Sequence, residues 1–264
     1  MNEIEKLSST IVNYSLKLKE NETVLITSYN ECLDLILSLI DEISKVGAIP
    51  FVRIKNDIIN AKILGVTNDE RIKVLKKLKD EEVKTYDAYI NIRYTTNDYE
   101  QLNVNSDILK KIGGATLKSN QIRINERKWT LLNYPSRLDA YKAGMDSLSY
   151  KKFALEVMNL DYKEMNERIK PLKELMEKTD KVRIVSPNTD ITFSIKGMPV
   201  IPCVGTSNIP DGEIYTAPIK TSVNGVIKYN TTSTYRGEIF KNIKLEFKDG
   251  KFVLEELKRL NYDL

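Results

Sequence analysis

The stretch SNIPDGEIYTAP, residues 207–218, sets one carboxylate, Glu213, directly behind a Pro-Asp-Gly turn. A glutamate fixed by a turn at the head of a strand can serve as a ligand to a divalent cation. One that merely opens a strand faces water, and the residues by themselves allow both. Other acids in the same half of the chain, Asp190, Asp211, Glu238 and Glu246, show no convergent spacing. The sequence contains no histidine. This removes the commonest metal ligand and the side chain best suited to proton transfer near neutral pH. It also excludes Ser-His-Asp and Cys-His nucleophilic sites and an HExxH zinc site within the chain. Metal chemistry has to rest on carboxylates, tyrosine, backbone groups or donors borrowed from elsewhere.

The elements that position such a residue fall into two kinds. In the first half, Ile4, Leu7, Ile11, Tyr14 and Leu18 keep helical spacing, and ENETVLITS ends in a β-branched run. The segment ECLDLILSLIDEISKV puts Leu35, Ile36, Leu39, Ile40 and Ile43 on one helical face, with Gly47 at the C-cap position. IPFVRIK, AYINIRY and KWTLLNYP read as further strands, separated by the helical NDERIKVLKKLKDE and SDILKKIGG. Gly113-Gly114 is expected to end the latter helix as a C-cap. The alternation predicts an α/β N-terminal domain with a mostly parallel sheet. No GxGxxG or GxxxxGK[ST] follows any strand, so a glycine-cradled dinucleotide site is not expected. Helical periodicity returns from Ser136 to about Thr179, with Asp146 as an N-cap and Pro171 marking a helix start or kink.

Beyond that point the pattern changes. VRIVS, DITFSIKG, EIYTAPIK, GVIKYN, IKLEFK and KFVLEEL are short β-rich runs punctuated by PNTD, PDG, VNG and KDGK, the turn signals of antiparallel hairpins. They predict a β-rich α+β C-terminal domain. It is expected to be incomplete, because LEELKRLNYDL reads as a strand turning into a helix start with no closing element. The expected division is 1–165 for the α/β domain and 166–264 for the β-rich one, with a helical link at about 162–180. Beside Glu213, Tyr215 and Thr216 alternate along a strand, so one is expected to be core while the other lines a pocket. Trp129, Tyr134 and Pro135 are expected to pack where the fourth strand ends.

Composition narrows the classes. The 264 residues carry 41 basic and 37 acidic side chains, a net +4, intermixed along the chain without a basic arm, so no nucleic-acid partner is expected. No run approaches the length of a membrane span and MNEIEKLSST is not a secretory signal. A cytoplasmic protein without a membrane partner is the expectation. Cys32 and Cys203 lie far apart without CxxC spacing and read as reduced, buried thiols.

The ordered segments resemble one family. NIPDGEIYTAPIKTSVNGVIKYN is similar to the signature of the thermophilic metallo-aminopeptidases, the aminopeptidase T and aminopeptidase S group, which reads N-M-P-D-G-E-V-F-T-A-P followed by an S-x-N-G turn. TDITFSIKG, RKWTLLNYPS and AGMDSLSYKKFALEVMNLDY resemble further segments of that family in the same order, and KLKENETVLITS and KVGAIPFVRI also fit. The resemblance spans essentially the whole chain. It implies a metal-dependent exopeptidase that removes N-terminal residues from peptide substrates through metal-activated water, and a homodimer. It also implies a two-ion divalent centre of the zinc, cobalt or manganese class in the β-rich domain, in which Glu213 is a ligand.

The family's remaining donors, a second glutamate, two histidines, an aspartate and a tyrosine, lie beyond the position of Leu264 and have no counterpart here. No catalytic residue is assigned. The resemblance therefore implies an aminopeptidase chain truncated at its C-terminal side, with weak metal binding and little activity. The alternatives are a non-catalytic peptide-binding or dimer-forming homologue, and an unrelated α/β binding protein with similar turns.

Overall fold

The computed structural model describes residues 1–235 and 238–260, which divide into two compact units. Unit 1 comprises residues 1–162 and 203–211; unit 2 comprises 163–202 and 212 onward. Residues 203–211 therefore belong with the first half of the chain rather than with their sequence neighbours.

Unit 1 begins with α1 (Glu3–Ser9), closed by an Asn2–Glu5 capping box and followed by a π-helical stretch, Thr10–Ser15. Then β1 (Thr23–Ser28), α2 (Leu33–Lys45) and β2 (Ile49–Ile54) form a first crossover. Helices α3 (Asp57–Gly65) and α4 (Asp69–Thr85) lead to β3 (Ala88–Arg93), and α5 (Ser106–Glu126) leads to β4 (Lys128–Asn133). Asn56, Asn68 and Asn105 cap their helices by accepting backbone N–H groups. Helices α6 (Arg137–Lys142), α7 (Ser147–Met158) and the first residue of α8 (Tyr162–Lys178) complete the run, with Asp146 capping α7 as expected. Gly113 and Gly114 lie inside α5 and do not end it, a correction to the sequence reading. The helix-forming run ATLKSNQIRINE continues beyond them, and Thr116 and Ser119 are buried on its inner side.

The sheet order is β2-β1-β3-β4-β8, all parallel, where β8 is Asn208–Ile209. Strand alternation divides its side chains between two faces. Val24, Ile26, Ile90, Ile92 and Leu132 point into the main core with Leu7, Ile11, Leu35, Leu39 and Ile43 of the N-terminal helices. Each such side chain contributes about 1.5–3 kcal/mol through burial. Helices α4 and α5 lie over the opposite face, where Tyr89 Oη donates to the Glu82 carbonyl at 2.9 Å and Trp129 Nε1 to that of Ile124 at 3.1 Å.

A polar cluster pins α7 to this core. Tyr134 Oη donates to Asp34 at 2.6 Å, Lys151 Nζ donates to the same carboxylate at 3.0 Å, and the ammonium sits 5.1 Å from the Tyr134 ring centre. Partial burial works to raise the Asp34 pKa, but the hydrogen bonds from Tyr134 and Lys151 outweigh it and the net direction is downward. A carboxylate with a depressed folded pKa adds stability above its unfolded value of about 3.9 and loses it as pH falls through the folded value. Tyr134→Phe is accordingly expected to cost about 1 kcal/mol at neutral pH, kept small by the 44% exposure of Asp34. The deficit should close as Asp34 protonates. Urea titrations at neutral and acid pH measure this, and a pH-independent deficit would contradict it.

Unit 2 carries α8 from Lys163 onward and a six-stranded antiparallel sheet. Its strands are β5 (Lys181–Ser186), β6 (Thr189–Ser194), β10 (Asn224–Lys228), β11 (Ser233–Tyr235), β12 (Glu238–Lys248) and β13 (Lys251–Leu260). Order runs β11-β12-β10-β6-β5, with β13 also paired to β12. The PNTD and KDGK signals form hairpin turns, with Asn188, Asp249 and Gly250 at positive φ. VNG does not: Asn224 and Gly225 open β10. LEELKRL continues as strand to Leu260 instead of starting a helix, and residues 261–264 lie outside the described residues. Pro171 lies within α8. Among the described residues, no helix is long and apolar enough to cross a membrane.

Candidate functional site

Strand β7 (Ile201–Cys203) enters the segment that carries the Pro-Asp-Gly-Glu block, and β9 (Glu213–Tyr215) pairs with it on the way out. Between them the chain joins the parallel sheet of unit 1. Leu131 N–H donates to the Ser207 carbonyl at 2.8 Å, and Asn208 and Ile209 pair with Leu131 and Leu132. Ile209, 2% exposed, fills the main core. Tyr14 Oη donates to the Val204 carbonyl at 3.0 Å and Ser15 Oγ to that of Gly205 at 2.5 Å. Gly205 has φ +75°, and a Cβ there would lie 2.6 Å from the Tyr162 ring. The Asp211 carboxylate accepts the Gly205 N–H at 2.9 Å and closes the loop. Burial pushes the Tyr162 hydroxyl up to about 12, against a hydrogen bond with the Asp211 backbone that works to lower it. The peptide bond between Ile209 and Pro210 is cis.

Glu213 heads β9 and is solvent-exposed, immediately after Gly212. Alternation places Tyr215 on its side of the strand, 51% exposed, with Ile214 half-buried on the other. Thr216 is half-buried and donates to the Pro199 carbonyl at 2.8 Å, so neither Tyr215 nor Thr216 is a core residue. Tyr134 packs in the core as expected, whereas Trp129 is half-buried on the opposite face of the sheet. Cys32 is buried, Cys203 half-buried, and the two are not joined.

Asp190 and Glu246 do not form a cluster with Glu213. Asp190 is gripped by the Arg183 guanidinium at 2.8 and 2.7 Å, which holds its pKa below the ordinary range. Asp211 is engaged with Gly205 in unit 1. Glu246 sits mid-strand in β12 opposite Val226, and Glu238 opens that strand opposite Tyr235. Among the described residues, no three His, Cys, Asp or Glu side chains converge on one point. Catalytic metal sites use about three protein donors plus an open position, so the residues described do not make a metal centre by themselves. What the Pro-Asp-Gly-Glu block offers is the exposed carboxylate of Glu213.

A family model described as "Thermophilic metalloprotease (M29)" matches residues 1–257. The chain belongs to the M29 metalloproteases. The resemblance carried by the Pro-Asp-Gly-Glu block is thereby borne out, and the family implies use of a divalent metal. The fold of this M29 chain is similar to that of wild-type AmpT from Thermus thermophilus, with TM-score 0.76 at 17% identity, over 99% of this chain and 72% of that one. A periplasmic binding ribose operon repressor protein from Lactobacillus acidophilus matches at TM-score 0.24 and 15% identity, over 51% of this chain and 41% of that one. No curated protein matches the sequence.

One cluster escapes sequence reading altogether. Arg53, Lys55, Lys79, Arg93 and Arg123 are dispersed over five elements and connections, yet the fold brings them to a single crevice of unit 1. The available signal was a cation at the carboxyl end of an otherwise apolar strand, as in FVRIK and INIR.

Proposed function

We propose that this M29 chain acts as an aminopeptidase component, in which N-terminal residues are removed from peptides by metal-activated water and Glu213 is the carboxylate this chain contributes. One observation supports the reading above the others. The family match runs through the whole Asn208–Pro218 block, and the fold holds that block by β8 on one side and β9 on the other, leaving Glu213 exposed. A lone carboxylate holds a divalent ion of the zinc, cobalt or manganese class weakly, so efficient catalysis needs donors from outside the described residues. Peptides are the proposed substrates, a homodimer the proposed assembly and the cytoplasm the proposed compartment, with no nucleic-acid or membrane partner.

Two measurements test this. Purified chain supplied with Co²⁺ or Zn²⁺ and a leucyl chromogenic substrate is expected to show at most trace turnover. In Co²⁺ titrations, Glu213→Gln is expected to weaken binding about tenfold, the loss of one charged ligand. Equal affinity for the variant would remove Glu213 from the metal, and rapid turnover surviving the substitution would place the reaction elsewhere. The scarcity of donors around Glu213 among the described residues favours one further reading, a non-catalytic peptide-binding or dimer-forming homologue. Saturable peptide binding indifferent to metal, with no turnover under any ion, would select it.

A further inference from the structure

The crevice of unit 1 lies at the carboxyl end of the parallel sheet, on the face turned towards α4 and α5, and has a volume of about 350 Å³. Its floor follows from strand register. Arg53, Thr27, Asn91 and Leu131 stand side by side on β2, β1, β3 and β4, because Thr27 pairs with both Arg53 and Asn91, and Asn91 pairs with Leu131. The next row down, two residues back along each strand, ends in Tyr89 and Trp129. Strands β1 and β3 mark the place where the strand order reverses, one crossover running out to β2 and the next returning to the far side of β1. Open parallel sheets bind their ligands at such a point.

The charge of the crevice is one-sided. Arg53, Lys55, Lys79, Arg93 and Arg123 line it with a single carboxylate, Glu82. Arg53 and Lys79 reach Glu82 at 2.6 and 2.7 Å and already satisfy it. Among the described residues, Lys55, Arg93 and Arg123 have no carboxylate within ion-pair distance, and Arg123 lies over the Tyr89 ring at 6.0 Å. Although Lys55 as a whole is exposed, desolvation of its ammonium and then the like charges of Lys79, Arg53 and Arg93 hold its pKa below the ordinary lysine range, against a smaller opposing pull from Asp57, which lies outside the crevice lining. Cations collected in a concave site repel one another and focus a positive potential into it, which an anionic ligand relieves. Neutral Thr27 and Asn91 on the floor add hydrogen-bonding groups without offsetting charge.

We propose that this crevice is a binding site for a small polyanion, a compact molecule carrying two or more phosphate or carboxylate charges, held by Lys55, Arg93 and Arg123 above the Thr27–Asn91 floor. The site needs neither a glycine-rich turn nor a helix terminus; its recognition is by guanidinium and ammonium side chains. The peptidase reading makes no use of it, and it stands or falls independently of Glu213.

Calorimetric titration of the intact chain with pyrophosphate and with citrate, at low and at physiological salt, tests the proposal. One saturable site is expected, weakened by salt, and the tighter of the two probes assigns phosphate or carboxylate as the preferred source of charge. Lys55→Met and Arg93→Gln are each expected to weaken binding about tenfold, while Lys77→Gln, an exposed cation outside the crevice, leaves it unchanged. Removing a crowded cation should leave the urea midpoint of the unliganded protein unchanged or higher, whereas a merely structural lysine would lower it. Absence of saturable binding to either probe, or equal weakening by Lys77→Gln, would overturn the proposal.

Discussion

Gly225→Ala is expected to destabilise the antiparallel sheet by about 3 kcal/mol, combining the strain of a positive φ with the cost of overpacking. Gly225 has φ +114°, and a Cβ built there would lie 2.2 Å from the Asp190 carbonyl oxygen and 3.0 Å from Ile191 Cα. Those atoms are the backbone of β6, paired with β10 through Gly225–Ile191 and Val226–Asp190, so no side chain can swing aside. The ladder itself has to open. Amide hydrogen exchange of β6 and β10 provides the readout, with protection falling there while β1 and β3 keep theirs. Unchanged protection in β6 would show that the close approach is not a constraint on this sheet.

Ile209→Ala has a comparable expected effect in the other unit. The side chain is almost fully enclosed among Leu132, Ile92 and their neighbours, and truncation leaves a cavity that a two-residue strand has few other contacts to offset. A loss of about 3 kcal/mol is expected, against about 1 kcal/mol for Ile209→Val. Trp129, the only tryptophan, lies on β4 two residues from the pairing site and reports the transition by fluorescence. Under the proposed function the result bears on activity as well as stability, since Ile209 and Glu213 belong to the same sequence block. A variant as stable as the parent would mean that β8 is only loosely held.

Much of unit 1 is legible in the sequence because its signals are local. The stripe of Leu35, Leu39 and Ile43, the β-branched VLITS and the Asp146 cap each act within a few residues of themselves. Gly113-Gly114 misleads for the same reason: a glycine pair looks like a helix end, but the flanking residues outweigh two weak formers. Asn224-Gly225 has the chemistry of a tight turn, yet the glycine is needed for the approach of the Asp190 carbonyl. The membership of Asn208 and Ile209 in the first sheet depends on partners 77 residues earlier, Leu131 and Leu132, and two residues carry no period. Glu213 is legible because its block is contiguous in the sequence, but the Pro-Asp-Gly signal misleads about pairing: it joins no hairpin, since β8 pairs with β4 and β9 with β7. The cationic crevice is not legible, because its members meet only through strand register and helix placement.

The return of residues 203–211 to unit 1 has a consequence for synthesis. During synthesis domains generally fold as units, the N-terminal one first. Here β4 keeps an open edge, and the space taken by Ile209 stays unfilled, until residue 211 has been delivered. Helix α8 and the β5–β6 hairpin are translated before that edge is covered. The first unit is therefore completed only after the second has begun, which makes its closure a late event of translation.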